Sequence, residues 1–332
     1  MFVVHSYPLA VALCVVTMLC WGSWANTLKL ASRGWRFELF YWDYTLGVLL
    51  LTLVLGLTLG SNGTAGRPFA ADLAQASAAS WGSALLGGAV FNLANILLVA
   101  AIEIAGMAVA FPIGIGLALL IGVILNYIAD PVANVALLAG GVLLVMLAIL
   151  LDAVAYRRLA GGAAMVSRKG LVLSLACGVF MGLFYRFVAA SMYHDPSAPT
   201  AGKMGCYAAV FVLAVGVLLS SFVWNTFAMK RPFVGPPVSF GSYFRGSLGS
   251  HLSGVLGGVI WGTGTALNLI ASGRAGFAIS YGLGQGATLV AAIWGVFIWK
   301  EFRASPAGTS KLLAAMFVSY LGGLVLIILA RE

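Results

Sequence analysis

The sequence predicts an all-α integral membrane protein of ten transmembrane helices, arranged as two inverted five-helix repeats. Of its 332 residues, 62% are apolar and 8% are charged, whereas a soluble domain carries roughly 25% charged residues. So few charged side chains cannot cover the surface of a water-soluble globule of this size. The composition therefore favours a chain that faces lipid, and it excludes a soluble enzyme or a basic nucleic-acid-binding module.

Ten apolar runs of about 20 residues, the length that crosses a bilayer, follow one another along the chain. Their approximate limits are 8–28, 40–60, 81–101, 107–128, 132–151, 170–191, 205–228, 247–270, 276–299 and 311–330. The first run has no basic region before it, so we expect no cleavable signal peptide. The predicted organisation is a first repeat over 1–151, a basic cytoplasmic connection over 152–169 and a second repeat over 170–332.

The second half of the chain resembles the first at a shift of about 170 residues. Leu86-Gly87-Gly88 recurs as Leu256-Gly257-Gly258, and Ala105-Gly106 recurs as Ala275-Gly276. Each span therefore pairs with the span five further along. Because five is odd, paired spans cross the membrane in opposite directions. Inverted repeats of this kind are typical of transporters that bind their substrate near the bilayer midplane.

Basic residues predict the orientation, because cytoplasmic loops carry the excess of Lys and Arg. With the N-terminus outside, the cytoplasmic connections hold Lys29, Arg33, Arg36, Arg157, Arg158, Arg168, Lys169, Lys230, Arg231, Arg245, Lys300, Arg303 and Lys311. The outside then holds Arg67, Lys203, Arg274 and Arg331. We therefore expect a plasma-membrane or inner-membrane protein with both termini extracytoplasmic.

Polar side chains inside the apolar runs are candidates for a substrate site, because they are costly against lipid. Asn92 and Asn95 are three residues apart in the third run, and amides both donate and accept hydrogen bonds. Tyr281 and Gln285 share a helix face in the ninth run, among glycines that favour close packing or unwinding. Hydrogen bonding between helices is the alternative role for the two asparagines.

Arg186 is the only basic residue clearly inside a run, and it follows Tyr185. Its guanidinium can hold a carbonyl or carboxylate, or it can extend to the membrane interface. Trp21 and Trp261, the latter on one face with Thr265, lie deeper than interfacial tryptophans and could stack on a planar solute. The predicted substrate-binding set is Trp21, Asn92, Asn95, Tyr185, Arg186, Trp261, Thr265, Tyr281 and Gln285.

Acidic residues are scarce. Asp43 and Glu38, at the cytoplasmic start of the second span, are candidates for proton coupling, or Asp43 for a gating ion pair with Arg33 or Arg36. We place the other acids, Asp152 among them, in loops or at span ends. The chain shows no Ser/His/Asp set and no cluster of metal-ligating residues, so we expect no catalytic site, metal or cofactor.

A longer motif carries a family resemblance. The stretch Cys20-Trp21-Gly22-Ser23-Trp24-Ala25-Asn26-Thr27, followed by Trp35-Arg36-Phe37-Glu38-Leu39-Phe40-Tyr41-Trp42-Asp43-Tyr44, resembles the plant ureide permeases and their bacterial relatives. It is more distantly similar to glucose/ribose porters and the rhamnose–proton symporter. The five-plus-five architecture resembles the drug/metabolite transporter superfamily. The resemblance implies proton-linked uptake of a sugar, a ureide or a nucleobase-like compound. The chain lacks the long central loop of the plant permeases.

These observations predict a secondary active transporter that imports a small neutral polar metabolite by alternating access. We expect helices 1, 3, 4, 6, 8 and 9 to surround its cavity, with helices 5 and 10 outside. Its partners should be a small-molecule substrate, protons and lipid, with no nucleic acid, and it should be a monomer or homodimer. A drug or metabolite exporter of the same fold is the alternative. A membrane enzyme is disfavoured because no catalytic set is present.

Overall fold

The computed structural model describes residues 1–161 and 167–331, and for Ala108 the backbone alone. In that part of the chain, ten helices are long and apolar enough to cross a membrane. We number them α1 Tyr7–Leu30, α2 Phe37–Leu57, α3 Ala78–Ala105, α4 Phe111–Ala129, α5 Val135–Leu159, α6 Arg168–Ser191, α7 Cys206–Lys230, α8 Leu248–Ala275, α9 Phe277–Ile298 and α10 Thr309–Leu329. The predicted all-α fold with ten spans is confirmed.

The connections between the helices alternate between two faces of the bundle. The first face carries the connections that follow α1, α3, α5, α7 and α9, and there Arg36 donates to the carbonyl of Val234 at 3.0 Å. The second face carries the other connections and both ends of the chain, and there Arg67 donates to the carbonyl of Pro199 at 2.8 Å. Each helix therefore runs antiparallel to the next one along the chain.

Two helix pairs pack through matching glycines. A Cβ atom on Gly258 of α8 would lie 2.0 Å from the carbonyl oxygen of Tyr44 in α2. A Cβ atom on Gly88 of α3 would lie 2.1 Å from the carbonyl oxygen of Leu213 in α7. The two contacts correspond at the shift found in the sequence, and they support the five-plus-five repeat. The inverted orientation of the halves stays a prediction.

A pair of corner glycines also repeats. Gly106 ends α3 with φ 77°, and Gly276 ends α8 with φ 83°. Glycine adopts this left-handed conformation without the penalty that a Cβ atom brings. The next helical residue follows at once, at Met107 and at Phe277. Each long helix therefore turns into its neighbour through a single residue.

Three helices lose regular geometry toward one region of the bundle. α1 tightens into a 3₁₀ helix over Trp24–Leu30, and α4 begins with a π turn over Phe111–Ile115. Pro112 lies in that π turn and lacks the N–H that a regular helix would use. α9 is interrupted at Gln285 and Gly286, between Phe277–Gly284 and Ala287–Ile293. These irregular segments all border the cavity described below.

Helices α5 and α10 pack mainly on each other at one side of the bundle. A Cβ atom on Gly141 or on Gly323 would lie 2.7 Å from the carbonyl oxygen of the other glycine. α5 also runs further than predicted, and it contains Asp152, which is buried. The expectation that Asp152 lies in a loop or at a span end is wrong, because α5 continues for seven residues beyond it. The helix continues to two basic residues in its last turn, where cations stabilise the carbonyl end of a helix.

Candidate functional site

A cavity of about 310 Å³ lies between the helices and opens on the first face. Its walls come from α1, α3, α4, α6, α8 and α9, the six predicted helices, and also from Phe37 and Phe40 of α2. Among the described residues, α5 and α10 contribute nothing to the lining. Exposed Ala25 and Glu103 lie at the mouth, whereas the residues at the inner end are buried.

The inner end of the cavity is a floor of stacked aromatic rings. The Phe91 and Trp261 rings are 4.2 Å apart with an interplanar angle of 25°, and Phe184 meets Phe91 edge-on at 5.1 Å. Trp21 is nearly parallel to Trp261 at 6.5 Å, and its Nε1 donates to Thr265 Oγ1 at 3.1 Å. The hydrogen bond fixes the indole orientation, and the floor offers flat apolar surface to a planar solute.

Polar groups meet above this floor. The Asn95 side chain donates from Nδ2 to the Tyr41 hydroxyl at 3.1 Å, which leaves its carbonyl oxygen free to accept. Gln285 is 7% exposed, and its side-chain amide makes no hydrogen bond to any described residue. The interruption of α9 brings this amide to the cavity, beside Thr288. An amide at so buried a position is costly unless water or a solute pairs with it.

Beyond the floor, a buried polar network closes the bundle toward the second face. The Tyr185 hydroxyl donates to Asn268 Oδ1 at 2.7 Å, and Asn268 Nδ2 donates to the carbonyl of Ser280 at 2.8 Å. Thr17 Oγ1 in α1 donates to the carbonyl of Gly264 in α8 at 2.9 Å. The cavity is therefore reached from one side only, and Tyr185 lies on the closed side of its floor.

The structure brings part of the predicted set together. Trp21, Asn95, Trp261 and Gln285 line the one cavity, and Thr265 supports Trp21 from behind. These residues come from α1, α3, α8 and α9, so both halves of the chain contribute to the lining.

Asn92 lies outside the cavity, although it is only three residues from Asn95. Its amide donates to the carbonyl of Val217 at 3.1 Å and to Ser220 Oγ at 2.8 Å, both in α7. Asn92 therefore makes a hydrogen bond between helices, which was the alternative role considered from the sequence. We therefore leave Asn92 out of the candidate site.

Tyr281 and Arg186 also lie away from the cavity lining. The Tyr281 hydroxyl donates to the carbonyl of Met181 at 3.1 Å, and its ring fills the space beside Gly122, whose Cβ atom would lie 2.0 Å from it. Arg186 is partly exposed and makes no hydrogen bond or ion pair to a described residue. It follows the lining residue Phe184 by two positions, or about 200° around the helix, so it faces away.

The two candidate acids lie in α2 behind the cavity wall. Asp43 accepts a hydrogen bond from the Tyr243 hydroxyl at 2.7 Å and lies 2.8 Å from His251 Nδ1. Arg36 pairs with Glu38, with Nε 3.0 Å from Oε2, so the expected pairing of Arg36 with Asp43 is not formed. Burial, and then the Asp43 carboxylate, raise the pKa of the Tyr243 phenol. The phenol therefore stays protonated and acts as a donor.

The lining residues that the predicted set missed include Phe91, Phe184 and Glu103. A signal was present in α3, because Phe91 and Asn95 are four residues apart and share a face with Glu103 near the helix end. Aromatic residues in an apolar run look like core residues, so polarity alone could not select Phe91 or Phe184. In the described ranges, no group of three or more His, Cys, Asp or Glu residues could hold a metal ion.

Known proteins resemble this chain over nearly its full length. Ureide permease 1 of Arabidopsis thaliana is 24% identical over 379 residues, covering 97% of this chain and 96% of that protein. Ureide permease 2 of the same plant is 24% identical over 393 residues, covering 98% of each. A solved crystal structure is similar in fold, with a TM-score of 0.60 and 17% identity over 97% of both chains.

A family model described as Ureide permease matches residues 40–163 and 158–330. The two matched stretches meet in the connection between α5 and α6, and together they cover most of the chain. The chain therefore belongs to the ureide permease family, and it is a multi-pass membrane transporter rather than an enzyme.

Proposed function

We propose that this chain is a secondary active transporter that imports a ureide by alternating access through the aromatic-floored cavity. The observation that carries the proposal is the Gln285 amide, which faces the cavity without a partner among the described residues. A ureide presents N–H donors and carbonyl acceptors in one plane. The Gln285 and Asn95 amides complement both kinds of group, and the Trp261–Phe91 stack complements the plane.

A ureide is favoured over a monosaccharide on two grounds. The relatives that cover nearly the whole chain are named ureide permeases. The floor is also flat and the lining is mainly apolar, with few polar groups near it. A sugar would need more hydrogen-bonding partners around its hydroxyls than Asn95, Gln285 and Thr288 supply.

The direction of access follows from the closed network beyond the floor. Tyr185 and Asn268 block the second face, while the cavity opens on the first face. We propose that the first face is cytoplasmic, because the basic connections lie there, so the molecule is in an inward-open state. Import then ends with release through this mouth. We propose that proton uptake drives the cycle, with Asp43 and Glu38 as the acids to test.

Binding to purified protein tests the substrate class. Isothermal titration calorimetry with allantoin, uracil and glucose should give binding for allantoin, weaker binding for uracil and none for glucose. Binding of glucose alone would overturn the ureide proposal and favour a sugar site in the same cavity.

Two amide variants test the site. Gln285→Leu should weaken allantoin binding about five- to tenfold, because one lost hydrogen-bonding amide costs about 1–1.4 kcal/mol. Asn92→Ala is the matched control, since that amide bonds to α7 instead. It should lower the melting temperature and leave the affinity within about twofold. Equal affinity loss in both variants would contradict the assignment.

A reporter fusion tests the orientation. A periplasmic reporter such as alkaline phosphatase, fused after α10, should be active in cells, because we propose that both termini are extracytoplasmic. An active cytoplasmic reporter at the same place would mean that the mouth opens outward in this state.

A further inference from the structure

A buried polar cluster outside the cavity joins three parts of the first face. Asp43 in α2 is 4% exposed and lies between the Tyr243 hydroxyl and His251 Nδ1. Tyr243 belongs to the short helix Phe240–Phe244 before α8, and His251 lies in the first turn of α8. The cluster therefore fastens α2, α8 and the connection between α7 and α8 to one another.

The cluster lies directly behind the cavity wall. Phe40, one turn before Asp43 in α2, lines the cavity. Gly254 of α8 touches both residues, because a Cβ atom there would lie 2.8 Å from the Phe40 carbonyl oxygen and 2.5 Å from Asp43 Cβ. A displacement of Asp43 relative to α8 is therefore transmitted to the wall that the solute passes.

One edge of the imidazole remains accessible. The His251 side chain is 25% exposed, whereas that of Asp43 is 5% exposed. The Trp35 ring stands edge-on to His251 at 5.2 Å, and the Tyr243 ring does so at 4.8 Å. Nδ1 faces the carboxylate, and Nε2 makes no hydrogen bond to any residue in the described ranges. A proton from water can therefore reach Nε2 while the carboxylate stays shielded.

The charge of the cluster depends on this proton. Within the described chain, His251 is the only basic group paired with Asp43, and Arg36 of the same helix is paired with Glu38. The other basic residues that end the adjoining elements are exposed: Lys230, Arg231 and Arg245. When His251 Nε2 gains a proton, the net charge of the pair rises from −1 to 0.

Helix packing does not explain the pair. At the repeat shift, Asp43 corresponds to Val212 of α7, His251 to Trp81 of α3, and Tyr243 to Leu73. The α3–α7 interface shows the same close glycine contact as the α2–α8 interface and carries no acid–histidine pair at these positions. Helix packing of this kind therefore does not require an acid–histidine pair. The pair at the α2–α8 interface must have another role.

We propose that the Asp43–His251 pair is the binding site of the coupling proton, and that Tyr243 positions its carboxylate. The inference rests on the proposed transport function. With the proton on Nε2, the pair is neutral and can stay buried. After the proton passes to water, a net negative charge remains in a poorly solvated site, which favours the arrangement in which Asp43 reaches water. That arrangement separates α2 from α8 beside the cavity wall.

Transport in proteoliposomes tests the proposal, with an inward proton gradient or, separately, allantoin counterflow without a gradient. His251→Gln and Asp43→Asn should lose gradient-driven accumulation at least tenfold and keep counterflow within about twofold. The matched control is His194→Gln, because His194 is an exposed histidine on the second face, 3.7 Å from Asp130. It should behave as wild type in both assays.

Each outcome discriminates. Gradient-driven accumulation at the wild-type level in both variants would overturn the assignment. A loss of counterflow as large as the loss of accumulation would also overturn it, because it would indicate a role in transport itself rather than in proton coupling. Failure of the wild type to exchange allantoin would instead overturn the proposed function.

A measurement without solute covers that last case, because it needs only purified protein. Tryptophan fluorescence of the purified protein should show a pH-dependent component, because a protonated imidazole quenches an adjacent indole. That component should disappear in His251→Gln and in Trp35→Phe, and it should persist in His194→Gln. Persistence in His251→Gln would overturn the proton site.

Discussion

The α2–α8 and α3–α7 interfaces share a backbone arrangement and differ in chemistry. Both place glycines against facing carbonyls, and a Cβ atom would lie 2.0 Å from the carbonyl oxygen at Gly258 and 2.1 Å from it at Gly88. Both long helices also begin with a serine cap, Ser247 and Ser77, each 3.2 Å from the backbone N–H three residues on. Among the described residues, the first interface alone adds a buried acid paired with a partly exposed histidine, Asp43 with His251. The comparison teaches that small residues and caps set the packing of both interfaces, and that this packing does not require the polar pair.

The largest expected effect comes from filling the matched glycine contacts. Gly258→Ala and Gly88→Ala should each destabilise the protein by about 3 kcal/mol or more, because the new Cβ meets backbone rather than a movable side chain. Thermal melting in detergent measures the loss. Gly82→Ala in α3 is the control, since a Cβ there meets nothing within 4 Å. A loss at Gly258 without one at Gly88 would show that the two interfaces are not equivalent.

A smaller loss of stability is expected when an acid is placed in α7, at the position that corresponds to Asp43 of α2. Val212→Asp puts a carboxyl at the position matched to Asp43, where Trp81 and Leu73 stand in place of its partners. It should cost about 2–3 kcal/mol. The ionised carboxylate is costlier to bury without a partner than the neutral acid, so the loss should grow as the pH rises from 5 to 8. Val212→Asn should give a loss that does not change with pH, and equal pH dependence would refute the charge argument.

The smallest expected effect is at the caps. Ser77→Ala and Ser247→Ala should each cost about 1 kcal/mol, because each removes one acceptor for a free N–H at a helix start. Ser247→Ala should cost slightly more, since Ser250 also bonds to Ser32 at 2.6 Å and the cap holds Ser250 in place. Thermal melting of the two variants side by side checks the order. A reversed order would place the extra stability in the α3–α7 half.

The spans could be predicted because a membrane imposes length and apolarity on each helix separately. Local chemistry shifted only their ends, as in α5, which runs on past 151 to its two terminal arginines. The glycine repeat was also readable, because a close helix contact requires glycine at a fixed position. These features depend on the segment itself or on one neighbouring backbone.

The direction of each side chain depended on the neighbouring helices and was predicted less well. Asn92 and Asn95 are about 60° apart on α3. Asn92 hydrogen-bonds to α7, whereas Asn95 lines the cavity. Tyr281 and Gln285 were expected on one face, but the interruption of α9 at Gln285 separates them. The partner of Asp43 could not be read either, because His251 is distant in sequence.

The corner glycines have a mechanical consequence. Gly106 links α3 to the helix that leads into α4 on the first face, and Gly276 links α8 to α9 on the second face. Because a single residue forms each link, tilting α3 or α8 also reorients the helical segment that follows it. α3 carries the floor ring Phe91, and α4 carries Phe111 in the opposite wall. The bundle thus has one such single-residue link near each of its two faces, and movement at the first face would reach the cavity lining through α3 and α4 together.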